Sequence, residues 1–321
     1  MSRLSVQTAL IGLALLAAPA HATFPGPNGR IAFENYFSGE IFAANPDGGG
    51  LVQLTHVAPD SFAGQPDWSP DGTRIAFPQA KVPTGGPDIP RIWIMRADGS
   101  NPHRLAGAPK GIREYQPNFT PDGRHIVYVR CKAGEPRCAL WRMRSDGTDK
   151  EAITAYTRPG EPNVDYMPSI SPDGESVAFT RFFRRGVWSR MWMMEIDGSN
   201  LRSLTPRRLE AWGPDWSPGG DQITFTNNSN QFGGGDIFTM NPDGTEIQRI
   251  TPVDYPPNDQ EPTYSPEGDR ILFGSDRNYP DACCLDLFTI DPDGGAASMI
   301  DLGLPDAGLT QPDWGTAPLL P

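Results

Sequence analysis

One eight-residue motif returns five times along the chain. It reads QPDWSPDG (65–72), QPNFTPDG (116–123), MPSISPDG (167–174), GPDWSPGG (213–220) and EPTYSPEG (261–268), and a shortened copy, QPDWG, follows at 311–315. The motif prolines are spaced 51, 51, 46, 48 and 50 residues apart. A period of that length means that one supersecondary unit is repeated, and each unit must bury its apolar face against its neighbours.

Each full copy is followed by a short β-branched or aromatic run: RIAF (74–77), HIVYV (125–129), SVAFT (176–180), QITFT (222–226) and RILFG (270–274). A second module then recurs as EIFAANPDG (40–48), RIWIMRADG (91–99), ALWRMRSDG (139–147), RMWMMEIDG (190–198), DIFTMNPDG (236–244) and DLFTIDPDG (286–294), with a brief closing run after it. The runs alternate with a period of two, as strands do. Pro-Asp-Gly and Asp-Gly supply the fixed φ and the positive φ of tight hairpins. The 35 glycines and 35 prolines are spread along the chain rather than gathered in a linker, which suits many short strands and disfavours helices.

Each unit therefore holds four strands: A around the Pro-x-Trp, B after the first turn, C before the Asp-Gly, and D after it. Four strands per roughly 50 residues describe a propeller blade. The first unit is split, with strands B to D at 30–55 and strand A at 311–314. The expectation is an all-β, six-bladed β-propeller of four-stranded blades, closed by the C-terminal strand joining the N-terminal blade. Closure of this kind protects the sheet edges.

PDWSPDGTRIAF followed by IWIMRADGS resembles the TolB-type WD40-like repeat, which also forms the propellers of prolyl-oligopeptidase-class peptidases. The resemblance covers residues 24–315. It implies the propeller fold and, more loosely, recognition of a partner in the cell envelope. Two-domain members carry an α/β domain ahead of the ring. Here strand B of the first blade follows almost directly on an apolar leader, so a stand-alone propeller is expected.

That leader has Arg3 in a positive n-region, an apolar run from Ala9 to Ala18, and Ala20-His21-Ala22 as a small-residue cleavage pattern. It reads as a signal peptide at 1–22 ahead of one propeller domain at 23–321, in a periplasmic or secreted protein. The net charge of −12 disfavours nucleic acid and anionic membranes as partners. No later stretch is apolar for long enough to span a bilayer, and a monomer is expected.

Chemistry is sparse in the sequence. There is no G-x-S-x-G elbow and no Walker-type loop. His56, His103 and His125 fall on three successive blades, so no metal site and no cofactor are expected. The Pro-Asp-Gly segments lack the loop length that a calcium site needs. Cys131 and Cys138 flank a hairpin and are placed to form a disulfide. Cys283 and Cys284 are adjacent, and either a vicinal disulfide or two thiols fit the sequence.

Antiparallel order puts the uniform A–B and C–D turns on one side of the disc, and the varied B–C and D–A loops on the other. Function usually rides on varied loops held by a rigid scaffold. At the channel mouth on that side stand Tyr115, Tyr166, Trp212 and Glu261, with Arg113, Asp165, Arg207 and Arg208 nearby. Tyr, Trp and Arg are common binding anchors. These eight are the candidate binding residues, each aromatic having packing between blades as its other role. The expected function is an exported, non-enzymatic binding scaffold for a protein, peptide or glycan on the B–C/D–A face. The alternative is a channel-mouth lyase or hydrolase acting on a polysaccharide or lactone through Glu114, Asp165, Glu210 and Glu261.

Overall fold

The computed structural model describes residues 24–320 apart from 82–88, 106, 108, 134–136, 157–163, 184–187, 229–233, 253–256, 280–283 and 305–307. The leader expected at 1–22 and Cys283 lie outside the described residues. Among the described residues every regular element is a strand.

The strands form six antiparallel sheets, one per blade. Blade 3 is representative, with strand A at Ile112–Phe119, B at His125–Lys132, C at Cys138–Arg144 and D at Glu151–Ala152. Blade 1 is built from both ends of the chain. Leu309–Trp314 pairs with Ile31–Asn35, Ile31 facing Trp314 and Asn35 facing Leu309. In blade 2 strand A is broken into Ser61–Ala63 and Asp67–Trp68, both paired to Arg74–Lys81.

The A–B turns owe their shape to the motif. Ser69 Oγ donates to Asp71 Oδ1 at 2.6 Å and accepts the Arg74 N–H at 2.9 Å, while Gly72 takes a φ of +63°. This is the φ > 0 that the turn needs and that glycine adopts without strain. Blades 5 and 6 lack the motif aspartate, and the structure shows its replacement. Ser217 Oγ donates to Asp221 Oδ1 at 2.7 Å, and Ser265 Oγ to Asp269 Oδ1 at 2.8 Å. The carboxylate has moved two residues along the chain and performs the same bond.

The apolar core is divided into six clusters, each shared by two neighbouring blades. Blades 1 and 2 meet over Ile41, Trp68, Ile75 and Phe77, and blades 6 and 1 over Phe33, Leu272, Leu287 and Trp314. Strand B carries a fully buried ring in every blade: Phe33, Phe77, Tyr128, Phe179, Phe225 and Phe273. The residues after Trp314 also belong to the ring. Ala317 is fully buried, its carbonyl accepts the Arg30 N–H at 3.0 Å, and Asn45 exchanges two bonds with Leu320.

Candidate functional site

The innermost strands leave a cavity of about 150 Å³ at the centre of the ring, lined by the same three positions of every blade: the motif proline and its two neighbours. The residue before each proline is Gln65, Gln116, Met167, Gly213, Glu261 or Gln311, and each has a φ between 47° and 64°. Non-glycine residues rarely adopt this region, and persist there only where the surroundings hold them.

The hold is a circle of hydrogen bonds running from each blade to the next. Gln65 Oε1 accepts the Gln116 N–H at 3.0 Å, and Gln116 Oε1 accepts the Met167 N–H at 2.8 Å. Met167 has no strong acceptor to offer, so Thr180 Oγ1 of strand B accepts the Gly213 N–H at 3.0 Å. Thr226 Oγ1 likewise accepts the Glu261 N–H at 3.1 Å. Glu261 Oε2 then accepts the Gln311 N–H at 2.8 Å, and Glu34 Oε2 completes the circle by accepting the Gln65 N–H at 3.2 Å.

A second tier lies one step further along strand A. Asp313 accepts the Trp68 N–H at 2.6 Å and Asp67 the Phe119 N–H at 2.8 Å. Asn118 accepts the Ile170 N–H at 3.2 Å and Asp215 the Tyr264 N–H at 2.9 Å. Burial dominates the electrostatics of these acids. It raises the carboxyl of Glu34 to about 7, with Glu261 adding repulsion and the Gln65 N–H opposing both. Burial likewise raises Glu261. Asp67 is pushed up by burial and then by Asp313, and Asp313 by burial and then by Asp215. Among the described residues no group of three His, Cys, Asp or Glu is arranged to hold a metal ion.

The residues read from the sequence as a mouth occupy three settings. Glu261 lines the channel. Tyr115 and Tyr166 pack against the apolar cluster between blades 3 and 4, so their rings support that interface. The Tyr166 hydroxyl lies 2.9 Å from Cys138 Sγ, and the charge of Arg113 acts on it. Trp212 is half-buried opposite Thr226. Asp165 is buried in a two-pronged ion pair with Arg181, at 2.6 and 2.9 Å. Glu114, fully buried, pairs with Arg130 at 3.1 Å, and Glu210 is half-buried.

Arg207 and Arg208 are exposed in the loop that leads into blade 5. The Arg207 guanidinium lies 4.2 Å from the Trp188 ring centre, and Trp188 stacks on Phe183 at 4.8 Å. A second aromatic pair, Tyr36 and Phe37, stands 68 % and 59 % exposed on the B–C turn of blade 1. Sequence reasoning missed this pair, although adjacent aromatics beside the Ser-Gly of a hairpin turn are a readable signal. It also missed Glu34, Asp67, Asp215 and Asp313. Three of these are the residue after a motif proline, and that position could have been taken as channel-facing from the strand's alternation.

Cys131 and Cys138 face each other across the hairpin and are joined by a disulfide. Cys284 is buried and disulfide-bonded. His56, His103 and His125 lie on blades 1, 2 and 3. No helix among the described residues is long and apolar enough to cross a membrane.

The chain is similar to proteins that carry different names. An uncharacterised protein of Agrobacterium fabrum is 29 % identical over 196 residues, covering 56 % of this chain and 59 % of that protein. Tricorn protease homolog 1 of Streptomyces coelicolor is 26 % identical, over 92 % of this chain but 26 % of its own length. The chain thus spans between about a quarter and three fifths of the first curated relatives it matches. Among solved structures, TolB from Acinetobacter baumannii superposes with a TM-score of 0.68 at 18 % identity, covering 91 % of this chain and 68 % of that one. A putative TolB from Agrobacterium tumefaciens gives 0.60 at 21 % identity, covering 86 % and 90 %. The family described as TolB beta propeller domain matches residues 18–212 and 165–314, and with six blades closed as its repeats require, this chain belongs to that family.

Proposed function

We propose that the chain is an exported binding scaffold without catalytic activity, acting as a monomer and recognising a protein, peptide or glycan on the face that carries the B–C and D–A loops. The observation that carries this reading is the pairing of exposed aromatic and cationic groups on that face. Tyr36 and Phe37 stand exposed, edge to face, on one blade, and Arg207 lies over Trp188 on another. Exposed aromatics and arginines on a rigid frame lose little conformational entropy on binding, which is why such residues anchor interfaces. TolB of Francisella tularensis, 26 % identical over 132 residues, supports an envelope setting for the chain. The disulfides fit an oxidising compartment, and the leader ending at Ala22 fits export.

The lyase or hydrolase alternative needs free carboxyl groups at the mouth. Two of its four candidates, Glu114 and Asp165, are engaged by Arg130 and Arg181 inside their blades. That engagement favours the scaffold.

The test is affinity capture from the envelope and secreted fractions of the source organism. It compares the wild type with a Tyr36→Ala/Phe37→Ala/Arg207→Ala variant. Capture of a saturable partner that is lost in the variant, at unchanged melting temperature, is the expected result. Equal capture by both proteins would sink the assignment to this face.

A further inference from the structure

The six blades act as controls for one another, and blade 3 departs from the other five at two positions, one of them fully buried in every blade. The strand B ring is phenylalanine in five blades and Tyr128 in blade 3. Three residues after each Asp-Gly glycine, the other blades carry Leu51, Pro102, Leu201, Ile247 and Ala297, and blade 3 carries Lys150. Both changes bring a polar group into a place that the repeat keeps apolar, which costs stability unless the group finds a partner.

Tyr128 finds none within the chain, and Lys150 finds only a long ion pair with Glu114. The Tyr128 hydroxyl and Lys150 Nζ are buried without a hydrogen-bond partner, as are Glu114 Oε2, Trp141 Nε1 and the Tyr156 hydroxyl. These groups belong to one cluster. Tyr128 faces Trp141 and Arg130 faces Glu114 across the sheet. Residues two apart on a strand share a side, so Tyr128 and Arg130 point the same way. Lys150 Nζ lies 3.7 Å from Glu114 Oε1 and 6.0 Å from the Tyr128 ring centre. The Tyr156 ring packs on Trp141 at 6.4 Å, with Lys132 Nζ 5.2 Å from its centre. From blade 2, Arg91 donates to the Ile112 carbonyl and acts electrostatically with Glu114 and Arg130.

Three cations, Arg91, Arg130 and Lys150, thus act on the single carboxylate of Glu114, with Lys132 over the nearby Tyr156 ring, in a chain whose net charge is −12. The acid–arginine pair of blade 4 shows the contrast, since both oxygens of Asp165 are bonded to Arg181. In blade 3 Arg130 and Lys150 crowd onto Oε1, leaving Oε2 unused.

Buried polar groups of native proteins are nearly always bonded to protein, water or an ion, so a concentration of unpaired ones marks a missing partner. The donors here are an ammonium, two hydroxyls and an indole N–H, and one carboxylate oxygen is left as acceptor. We propose that this cluster between blades 2 and 3 binds a small oxyanion that keeps one proton, of the hydrogen phosphate or bicarbonate class. The anion accepts from Lys150, Tyr128 and Trp141 and donates its proton to Glu114 Oε2. Sulfate and chloride have no proton to donate and would leave that carboxylate facing an anion. Lys150, 12 % exposed at the start of the outermost strand, stands at the solvent rim.

The test is titration calorimetry and thermal melting of the full chain with phosphate, bicarbonate, sulfate or chloride at matched ionic strength and neutral pH. The expected result is one site per chain for phosphate or bicarbonate, whichever is the natural occupant, with a melting temperature that rises with the logarithm of its concentration. Sulfate should do no more than chloride. Lys150→Leu and Tyr128→Phe install residues that sister blades already carry at these positions, so the fold is retained. Each should weaken binding on the order of 10- to 100-fold through loss of a buried donor. The proposal is overturned if neither protonated anion exceeds chloride, if sulfate matches phosphate, or if binding survives in both variants.

Discussion

The Glu261 carboxylate crosses the seam between the last blade and the first, and accepts the backbone N–H of Gln311 at 2.8 Å. Gln311 begins the channel-facing part of the strand that completes blade 1, so this bond joins the two ends of the chain. Glu261→Ala leaves the Gln311 N–H buried without its acceptor and should lower stability by about 1–3 kcal/mol. Glu261→Gln keeps an acceptor and should cost less. Urea unfolding of both variants checks the order.

A shortened chain ending before Leu309 should lose cooperative unfolding altogether. Ile31–Asn35 would have no inner partner, and the cluster that holds Phe33, Leu272 and Trp314 would open to water. Thermal melting monitored by tryptophan fluorescence, together with proteolysis, reads this directly. A sharp transition near that of the full chain would refute the closure argument.

Gly315 follows the last strand and lies against the Trp68 ring so closely that an added Cβ would overlap it. Gly315→Ala must therefore push the final segment away from blade 2. We expect a loss of about 1–3 kcal/mol, of the size seen when a packed interior is overfilled, read as a fall in the urea midpoint.

Glu34 supplies a pH dependence whose sign can be worked out. Its carboxyl rises to about 7 in the fold, from 4.5, mainly because it is buried. The folded state therefore holds a proton that the unfolded chain releases more readily. The stability linked to it is fully present below pH 4.5 and is lost as pH rises toward about 7. Glu34→Gln keeps an acceptor for the Gln65 N–H and carries no charge. Its advantage over the wild type should grow across that window to about 1–3 kcal/mol and then level off. Melting curves from pH 4 to 8 test this, and a constant difference would show that Glu34 does not titrate there.

Removal of the blade 3 disulfide by Cys131→Ser/Cys138→Ser should cost about 2–3 kcal/mol, the closure entropy of a short loop. It also takes from the Tyr166 hydroxyl its contact with sulfur. The readout is the melting temperature of the double variant against that of the wild type, both without reductant, the variant melting lower.

The ring was legible because its grammar is local. Pro-Asp-Gly turns, period-two runs and the stray QPDW at 311–314 are short patterns, and each bears on blade count or closure. The Cys131–Cys138 pair was legible for the same reason. The circle of channel hydrogen bonds was not, because its acceptors do not occupy one sequence position. Gln65, Gln116 and Glu261 come from the motif itself, while Thr180, Thr226 and Glu34 come from strand B, Glu34 even though blade 1 carries Gln311 at the motif position. The orientation of Tyr115 and Tyr166 was hidden as well. The positive-φ residue that follows each of them breaks the register between strands A and B, so counting alternate residues gives no reliable guide to which way they face. The pairing of Asp165 with Arg181 spans 16 residues and has no motif to announce it.

Each blade lends its acceptors to the next in one sense around the channel, from Glu34 through Gln65 and Gln116 to Glu261 and back. A loop with a direction but no privileged starting point is indifferent to where the polypeptide is cut. Linking the present termini and opening the chain between blades 3 and 4 should give a permuted protein with the same contacts throughout, its termini displaced to the opposite side of the disc.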